Sequence, residues 1–410
     1  MAQLLDVGPD TLAALDPDTL ELTLADKLIE NVVGVLGVPV GLGLNLVVNG
    51  DDILVPLAVE EPSVVAAFSN AAKLVRKGGG FTADADPSHM IAQLQMSPPS
   101  ALDADKAMQG LMDAQAEIDA EAAQAAESMA RRGGGFVRSE LRRVEDPEGP
   151  PLVVVHLIID VLDAMGANAV NHVAETIAPR VAAAAGCPVN LRILSNLSDL
   201  RRARASCRVP IDALQPGVAE RIADADRFAR LDPYRAATHN KGIFNGIDAF
   251  ALATGNDWRA IEAGAHAWAA RSGQYRGLTR WEIQGDRLVG RIELPMAVGT
   301  VGGITRSHPT IALLRTLVRA PSARTLAGIF AAVGLAQNLA ALRALASDGI
   351  QRGHMRLHAR QLALAAGASP AEVDAVVQAT VNRGRVSADG VAEALRTVRA
   401  TSDPHQPEDQ

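Results

Sequence analysis

The chain has 410 residues, 48% of them apolar, enough for a sizeable core in two or three domains and too apolar for a disordered polymer. A net charge of −8 and an aromatic content of 3% argue against a nucleic-acid partner, which calls for a basic face or for stacking platforms. The two cysteines, Cys187 and Cys207, form neither a disulfide framework nor a C-x-x-C pair, as expected of a protein kept in a reducing cytosol.

The N-terminus lacks a basic start leading into an apolar stretch, so no secretory leader is expected. The first 30 residues read as short helices. Val32–Val48 is apolar and of a length that raises a membrane-span question. Its four glycines, Pro39 and Asn45 favour a buried, β-rich segment instead. Asn49-Gly50-Asp51-Asp52 is a hairpin-type turn with β-rich flanks at 46–48 and 53–59. A helical pattern then runs from Ser63 to Arg76 and stops at Gly78-Gly79-Gly80.

Residues 84–100 are rich in Asp, Pro and Ser and mark a boundary. An Ala- and Glu-rich helix is expected over 101–132, with Ser100 as N-cap and Asp103 three positions on, closed by Gly133-Gly134-Gly135. Strands follow at 136–144 and 152–160, then a helix at 169–185 and a strand at 189–194. This order predicts a small α+β domain inserted into a larger one. From Asn196 the chain reads as mostly helical, with strands near 280–283 and 288–294. Further helical patterns cover 354–366, 370–383 and 390–401, before a polar tail. No internal repeat is evident.

Several stretches carry chemical potential. A strict G-x-G-x-x-G and a Walker A loop are both absent, and Gly78-Gly79-Gly80 ends a helix instead of following a strand. Asp163-Ala-Met-Gly-Ala-Asn168 does follow an apolar strand and opens a helix, where backbone N–H groups favour a pyrophosphate, although the same pattern suits a plain turn. Glu60-Glu61-Pro62-Ser63 places two carboxylates before a helix, readable as capping or as a proton donor. The polar run Asp232–Asp248 holds Lys241 between Asn240 and Gly242, readable as a surface loop with a solvated lysine or as an ammonium placed to stabilise a developing oxyanion. Asp257, in Gly255-Asn-Asp257-Trp258, is a natural partner for it. Gly299-Thr-Val-Gly-Gly-Ile-Thr305 is crowded with glycine, as tight turns and close ligand approaches are. His354 and His358 lie four apart, yet no third ligand accompanies them, so no metal site is expected.

In chain order, Glu30-Asn-Val-Val-Gly34, Val59-Glu-Glu-Pro-Ser63, Asp163-Ala-Met-Gly-Ala-Asn168 and Leu191-Arg-Ile-Leu-Ser-Asn-Leu197 are joined by Asp232–Ile243, Ala253–Ala260 and Val298–Gly303. Val333-Gly-Leu-Ala-Gln-Asn-Leu339 and Ile350-Gln-Arg-Gly-His-Met355 complete the series. Together, over about residues 26–400, they resemble the class II, bacterial-type 3-hydroxy-3-methylglutaryl-CoA reductases. The resemblance implies an α+β chain. A large, mostly helical substrate and dimerisation domain (1–88 and 197–349) would hold an inserted ferredoxin-like, non-Rossmann cofactor domain (89–196), followed by a C-terminal helical flap (350–410). It implies a cytoplasmic homodimer, or an assembly of dimers, acting on HMG-CoA, mevalonate and CoA in isoprenoid metabolism.

Roles follow by motif. The resemblance makes Glu61, Lys241, Asp257 and His354 catalytic, places substrate on Ser63, Arg235, Asn245 and Asn338, and places the dinucleotide on Asp163, Met165, Gly166 and Asn168, with Asn196 nearby. Lys241 would stabilise the oxyanion, His354 protonate the departing thiolate and Glu61 donate a proton to mevaldehyde. Asp257 is expected between Lys241 and Glu61, and Arg235 would pair with the glutaryl carboxylate. An aspartate that holds the ribose in the family falls by counting on Ala126, with Glu127 beside it, so NAD is expected over NADP. Two rivals are another CoA-thioester or hydroxyacid dehydrogenase on the same scaffold and a non-catalytic metabolite binder.

Overall fold

A computed structural model describes residues 13–16, 20–305, 307–347, 359–382 and 386–402. Among the described residues ten strands form two sheets. The larger uses β1 (Val40–Val48), β2 (Asp51–Ala58), β3 (Phe81–Ala85), β8 (Arg202–Pro210), β9 (Thr279–Gln284) and β10 (Arg287–Pro295), in the order β2-β1-β3-β8-β10-β9. The smaller uses β4 (His89–Met96), β5 (Gly135–Val144), β6 (Leu152–Asp160) and β7 (Val189–Leu194), in the order β5-β6-β4-β7.

β1 and β2 close through Asn49 and Gly50, both at positive φ (53° and 96°), the twist that a two-residue hairpin requires. The predicted hairpin is therefore present. The apolar stretch before it departs from expectation. The strand begins only at Val40, and Val33 and Leu36 are 100% and 92% exposed, with no described part of the chain lying over them.

The stretch after Asn196, expected to be mostly helical apart from strands near 280–283 and 288–294, also opens with a strand. β8 runs Arg202-Ala-Arg-Ala-Ser-Cys-Arg-Val-Pro210 and alternates between faces. Ala203, Ala205, Cys207 and Val209 are buried, while Arg202 and Arg204 pair with Asp86 and Glu293 on the other side. Against the buried face lies the apolar Ala323–Ala346 helix, with Phe330, Val333 and Leu339 inaccessible to water. That helix is long and apolar enough to cross a membrane by composition alone, and it is the buried centre of this core.

In the second sheet, β4 sits between β6 and β7, and the connections run strand, helices, strand, strand, helix, strand. Helices Ala101–Asp113, Gln115–Ala125 and Ala167–Ala185 cover one face, burying Leu111, Ile118, Val173 and Ile177. Ser100 caps the first of them as predicted, accepting from Asp103 N at 3.1 Å. The single helix expected over 101–132 is three pieces, interrupted at Ala114 and Ala126. The chain leaves the larger sheet at Ala85 and enters the smaller at His89. Toward the C-terminus, helices Val373–Asn382 and Ala388–Ser402 pack on one another in a small cluster that includes Ala363, Val376 and Val391.

Candidate active site

The site is organised by the 22-residue Pro233–Thr254 helix. Asp232 caps it, accepting from Arg235 N at 2.7 Å, and Pro233 occupies the first turn, where its missing N–H costs nothing. Lys241 leaves this helix toward solvent, and its Nζ meets Glu61 Oε2 at 2.7 Å. Glu61 stands just beyond the end of β2, so the contact joins residues 180 positions apart. Both groups are substantially exposed, and an ion pair in that setting is worth only about 0.2–1 kcal/mol. Stability alone does not account for it.

Two residues after Glu61, Ser63 adopts φ 75° at the start of the Val64–Arg76 helix, and its hydroxyl makes no capping bond. A non-glycine residue in the left-handed region is a strained arrangement of a kind concentrated at functional sites. One turn beyond Lys241, Asn245 lies half-buried on the same helix face. Arg235 is half-buried, with burial drawing its guanidinium below the usual arginine range, and no carboxylate among the described residues pairs with it.

Asp257 differs from expectation. It is not interposed between Lys241 and Glu61, which touch directly. Its carboxylate caps the Trp258–Ala269 helix, accepting from Ala260 N at 3.2 Å, and lies 3.8 Å from Arg259 Nε. His354 and His358 lie outside the described residues.

Asn338, expected at the substrate, is 1% exposed and belongs to a buried polar network. Its Oδ1 accepts from Trp281 Nε1 at 2.8 Å and lies 3.1 Å from Thr279 Oγ1, while its Nδ2 is 3.1 Å from His239 Nε2. Thr279 Oγ1 is also 2.6 Å from His239 Nε2 and 3.1 Å from Asp226 Oδ1. Burial, with the charge of Arg235, pushes the His239 imidazole down to about 3, so it stays neutral. Burial raises the Asp226 carboxyl against hydrogen bonds from the Trp281 amide, Thr279 and Arg230.

The predicted dinucleotide turn follows β6. Leu162 adopts φ 53° and Gly166 φ 101°, and the Ala167–Ala185 helix starts without a side-chain cap. Its first intrahelical bond comes from Val170 N to Gly166 O, which leaves the N–H groups of Ala167, Asn168 and Ala169 without a helical acceptor. Such a glycine-opened helix start fits a pyrophosphate. Asp163 itself is engaged within the protein, accepting from Ala323 N at 2.8 Å at the start of the long apolar helix. Asn196 is exposed, in the turn after β7. Ala126 is fully buried, and Glu127 pairs with Arg131 at 2.9 Å on the surface.

The glycine-crowded loop ties these parts together. Gly299 N donates to Asn256 Oδ1 at 2.8 Å, and Thr300 N to Asp163 O at 2.8 Å. A Cβ on Gly299 would stand 2.5 Å from Met165 N, so only glycine allows this approach. Gly78, by contrast, packs against Arg208 O and ends its helix as a structural stop.

A profile of hydroxymethylglutaryl-coenzyme A reductase matches residues 3–359. The 3-hydroxy-3-methylglutaryl-coenzyme A reductase of Archaeoglobus fulgidus is 45% identical over 98% of this chain and 91% of its own. The chain belongs to the hydroxymethylglutaryl-coenzyme A reductase family. A probable member from Borreliella burgdorferi is 36% identical over 82% of this chain and 77% of its own. The reductase of Streptococcus pneumoniae superposes with a TM-score of 0.81 at 42% identity, covering 97% of this chain and 96% of that one. A class II streptococcal structure bound to NADPH in open conformations gives 0.80 over 97% of each. The family's reaction, interconversion of 3-hydroxy-3-methylglutaryl-CoA and mevalonate with a nicotinamide cofactor, is therefore this chain's function.

Proposed function

We propose that Glu61 and Lys241 form the catalytic centre of this reductase, with Arg235, Ser63 and Asn245 holding the acyl substrate. The direct 2.7 Å contact of Glu61 and Lys241 carries the reading. Reduction of a thioester to an alcohol requires two hydrides, and each of two reduced nicotinamides, bound in turn, would supply one. Lys241 stabilises the oxygen that gains negative charge in the first reduction. The hemithioacetal then collapses, and His354 gives a proton to the departing CoA thiolate. Glu61 gives a proton to the mevaldehyde oxygen in the second reduction, beside the Lys241 ammonium that it contacts. Asp257 acts from the adjoining turn, positioned by its cap on the Trp258 helix. Arg235 meets the free carboxylate of the substrate. Asn338 acts beneath this surface by holding Trp281 and His239.

The Ala167–Ala185 helix start would hold the pyrophosphate, with Met165, Gly166 and Asn168 at its rim and Asp163 and Asn196 close by. The βαββαβ path of residues 89–196 and its strand order support a ferredoxin-like cofactor domain. The separate helical cluster near the C-terminus supports a flap. Exposed Val33 and Leu36 support a dimer that covers them, and two free thiols support a cytoplasmic setting. The preference for NAD rested on Glu127. Its pairing with Arg131 offsets the charge that would repel a 2′-phosphate, and the streptococcal relative was bound to NADPH, so NADP becomes the favoured cofactor.

Absorbance of the reduced nicotinamide tests the reading. Folded protein given mevalonate and CoA should produce signal with NADP faster than with NAD. Silence with both would overturn the assignment, and faster NAD reduction would restore Glu127 to its expected role.

A further inference from the structure

Arg201 is 3% exposed, and the described residues offer it no ion-paired carboxylate. Burial draws its guanidinium down to about 10, against the opposing charges of Asp160 and Asp163, so it stays a cation at neutral pH. An unpaired buried charge is costly unless hydrogen bonds replace its water. Here three backbone carbonyls do so. Nη1 donates to Met165 O at 3.1 Å, while Nη2 donates to Ala164 O at 3.2 Å and to Val298 O at 2.5 Å. Two of these acceptors belong to the turn that opens the Ala167–Ala185 helix, and the third precedes Gly299.

The surroundings make the geometry specific. Met296 N donates to Arg201 O at 2.9 Å, so the same residue is bound through its backbone to the strand end leading to that loop. Val301 bridges to Ala164, and Thr300 N and Val301 N both reach Asp163 O. Asn256, beside Asp257, receives Gly299 N. The arginine therefore stands where the dinucleotide turn, the glycine loop and the Asp257 turn meet. A peptide whose carbonyl points inward presents the following N–H in the opposite sense. Holding the carbonyls of Ala164 and Met165 thus aims the N–H groups that follow toward the outer side of the turn.

We propose that Arg201 is a positioning residue for the nicotinamide dinucleotide: its three-carbonyl grip fixes the pyrophosphate-binding turn and locks it to the loop that adjoins Asp257. This rests on the reading of that turn as the cofactor site. Lysine cannot replace the grip, because a single ammonium lacks the planar fork that reaches carbonyls from two segments.

The test is binding, measured separately for the two ligands. For Arg201→Met and Arg201→Lys, the Kd of NADPH, or of NADH if the wild type prefers it, followed by nucleotide fluorescence, should rise tenfold or more. The Kd of HMG-CoA should stay within about twofold. In the protein without nucleotide, amide hydrogen exchange should speed up across 163–168 and 298–301 and nowhere else. Unchanged nucleotide affinity in folded variants would overturn the proposal, as would equal loss for both ligands. If the arginine variants fail to fold, Gly299→Ala disturbs the same junction by pressing on Met165 N, and it should show the same selective loss. Wild-type protein that binds HMG-CoA but neither nucleotide would remove the cofactor reading itself, a result distinct from any variant effect.

Discussion

On the Pro233–Thr254 helix, Lys241 reaches solvent and pairs with Glu61, whereas His239, two residues earlier, is sealed among Thr279, Asn338 and Asp226. The outer pair is weakly stabilising, screened and accessible, as a group that must meet substrate has to be. The inner network is dry, so each broken bond leaves a buried group unsatisfied at about 1–3 kcal/mol. On the proposed reading, one side of the helix supplies reactivity, and the other holds the helix in rotation so that the reactive side is aimed.

Separating those two jobs is the way to break the comparison. Glu61→Gln should lower turnover by about 10²–10⁴-fold, as loss of a general acid does, and Lys241→Ala by about 10²–10³-fold, as loss of an oxyanion donor does. Melting temperatures should hardly move in either. A lowered melting point with retained turnover would mean that the outer pair is structural after all. Arg235→Met should raise the KM for HMG-CoA by roughly 10- to 100-fold, the loss expected for a charged hydrogen bond, while kcat falls less. An effect confined to kcat would remove Arg235 from the substrate carboxylate.

On the inner side, Thr279→Val should destabilise the protein by about 1–3 kcal/mol in urea unfolding, because it strands the Asp226 and His239 partners. Turnover should stay within about tenfold of the wild type. The smallest effect is one of pH. The folded-state pKa of His239 lies far below its unfolded value, so its contribution is fully present above the ordinary histidine range. As pH falls below that range toward about 3, the unfolded chain takes up a proton that the folded chain refuses. Stability should then fall by up to about 1.4 kcal/mol per pH unit from this group. His239→Gln should flatten the slope of stability against pH between 6 and 4. An unchanged slope would show that His239 is not sealed.

Strands rich in β-branched residues were readable in advance. The run Leu152-Val-Val-Val-His-Leu-Ile-Ile-Asp160 was placed with its observed limits, and so was Val189–Leu194. β3, β4 and β8 were not found, because Ala, Met, Gln and Arg are indifferent or poor strand formers and only cross-strand pairing makes them strands. In the site, Lys241 and Glu61 were recognisable from their motifs, yet their direct contact was not, since it depends on how a strand end meets a helix. Nothing local marks Arg201 within Arg201-Arg202-Ala-Arg204. Its meaning lies in carbonyls at positions 164, 165 and 298, and a sequence does not display carbonyl directions.

β3 and β8 pair antiparallel, Phe81 with Cys207 through to Ala85 with Ala203, and the whole four-stranded unit is strung between them. During synthesis, therefore, the larger sheet stays open until the interposed stretch has been made. Closing so long a flexible loop carries an entropic penalty that grows with the logarithm of its length. An insert that folds first brings its own two ends near one another and removes most of that penalty. The smaller unit thus serves as a clasp for the chain, and the order of assembly is written into which strands are neighbours.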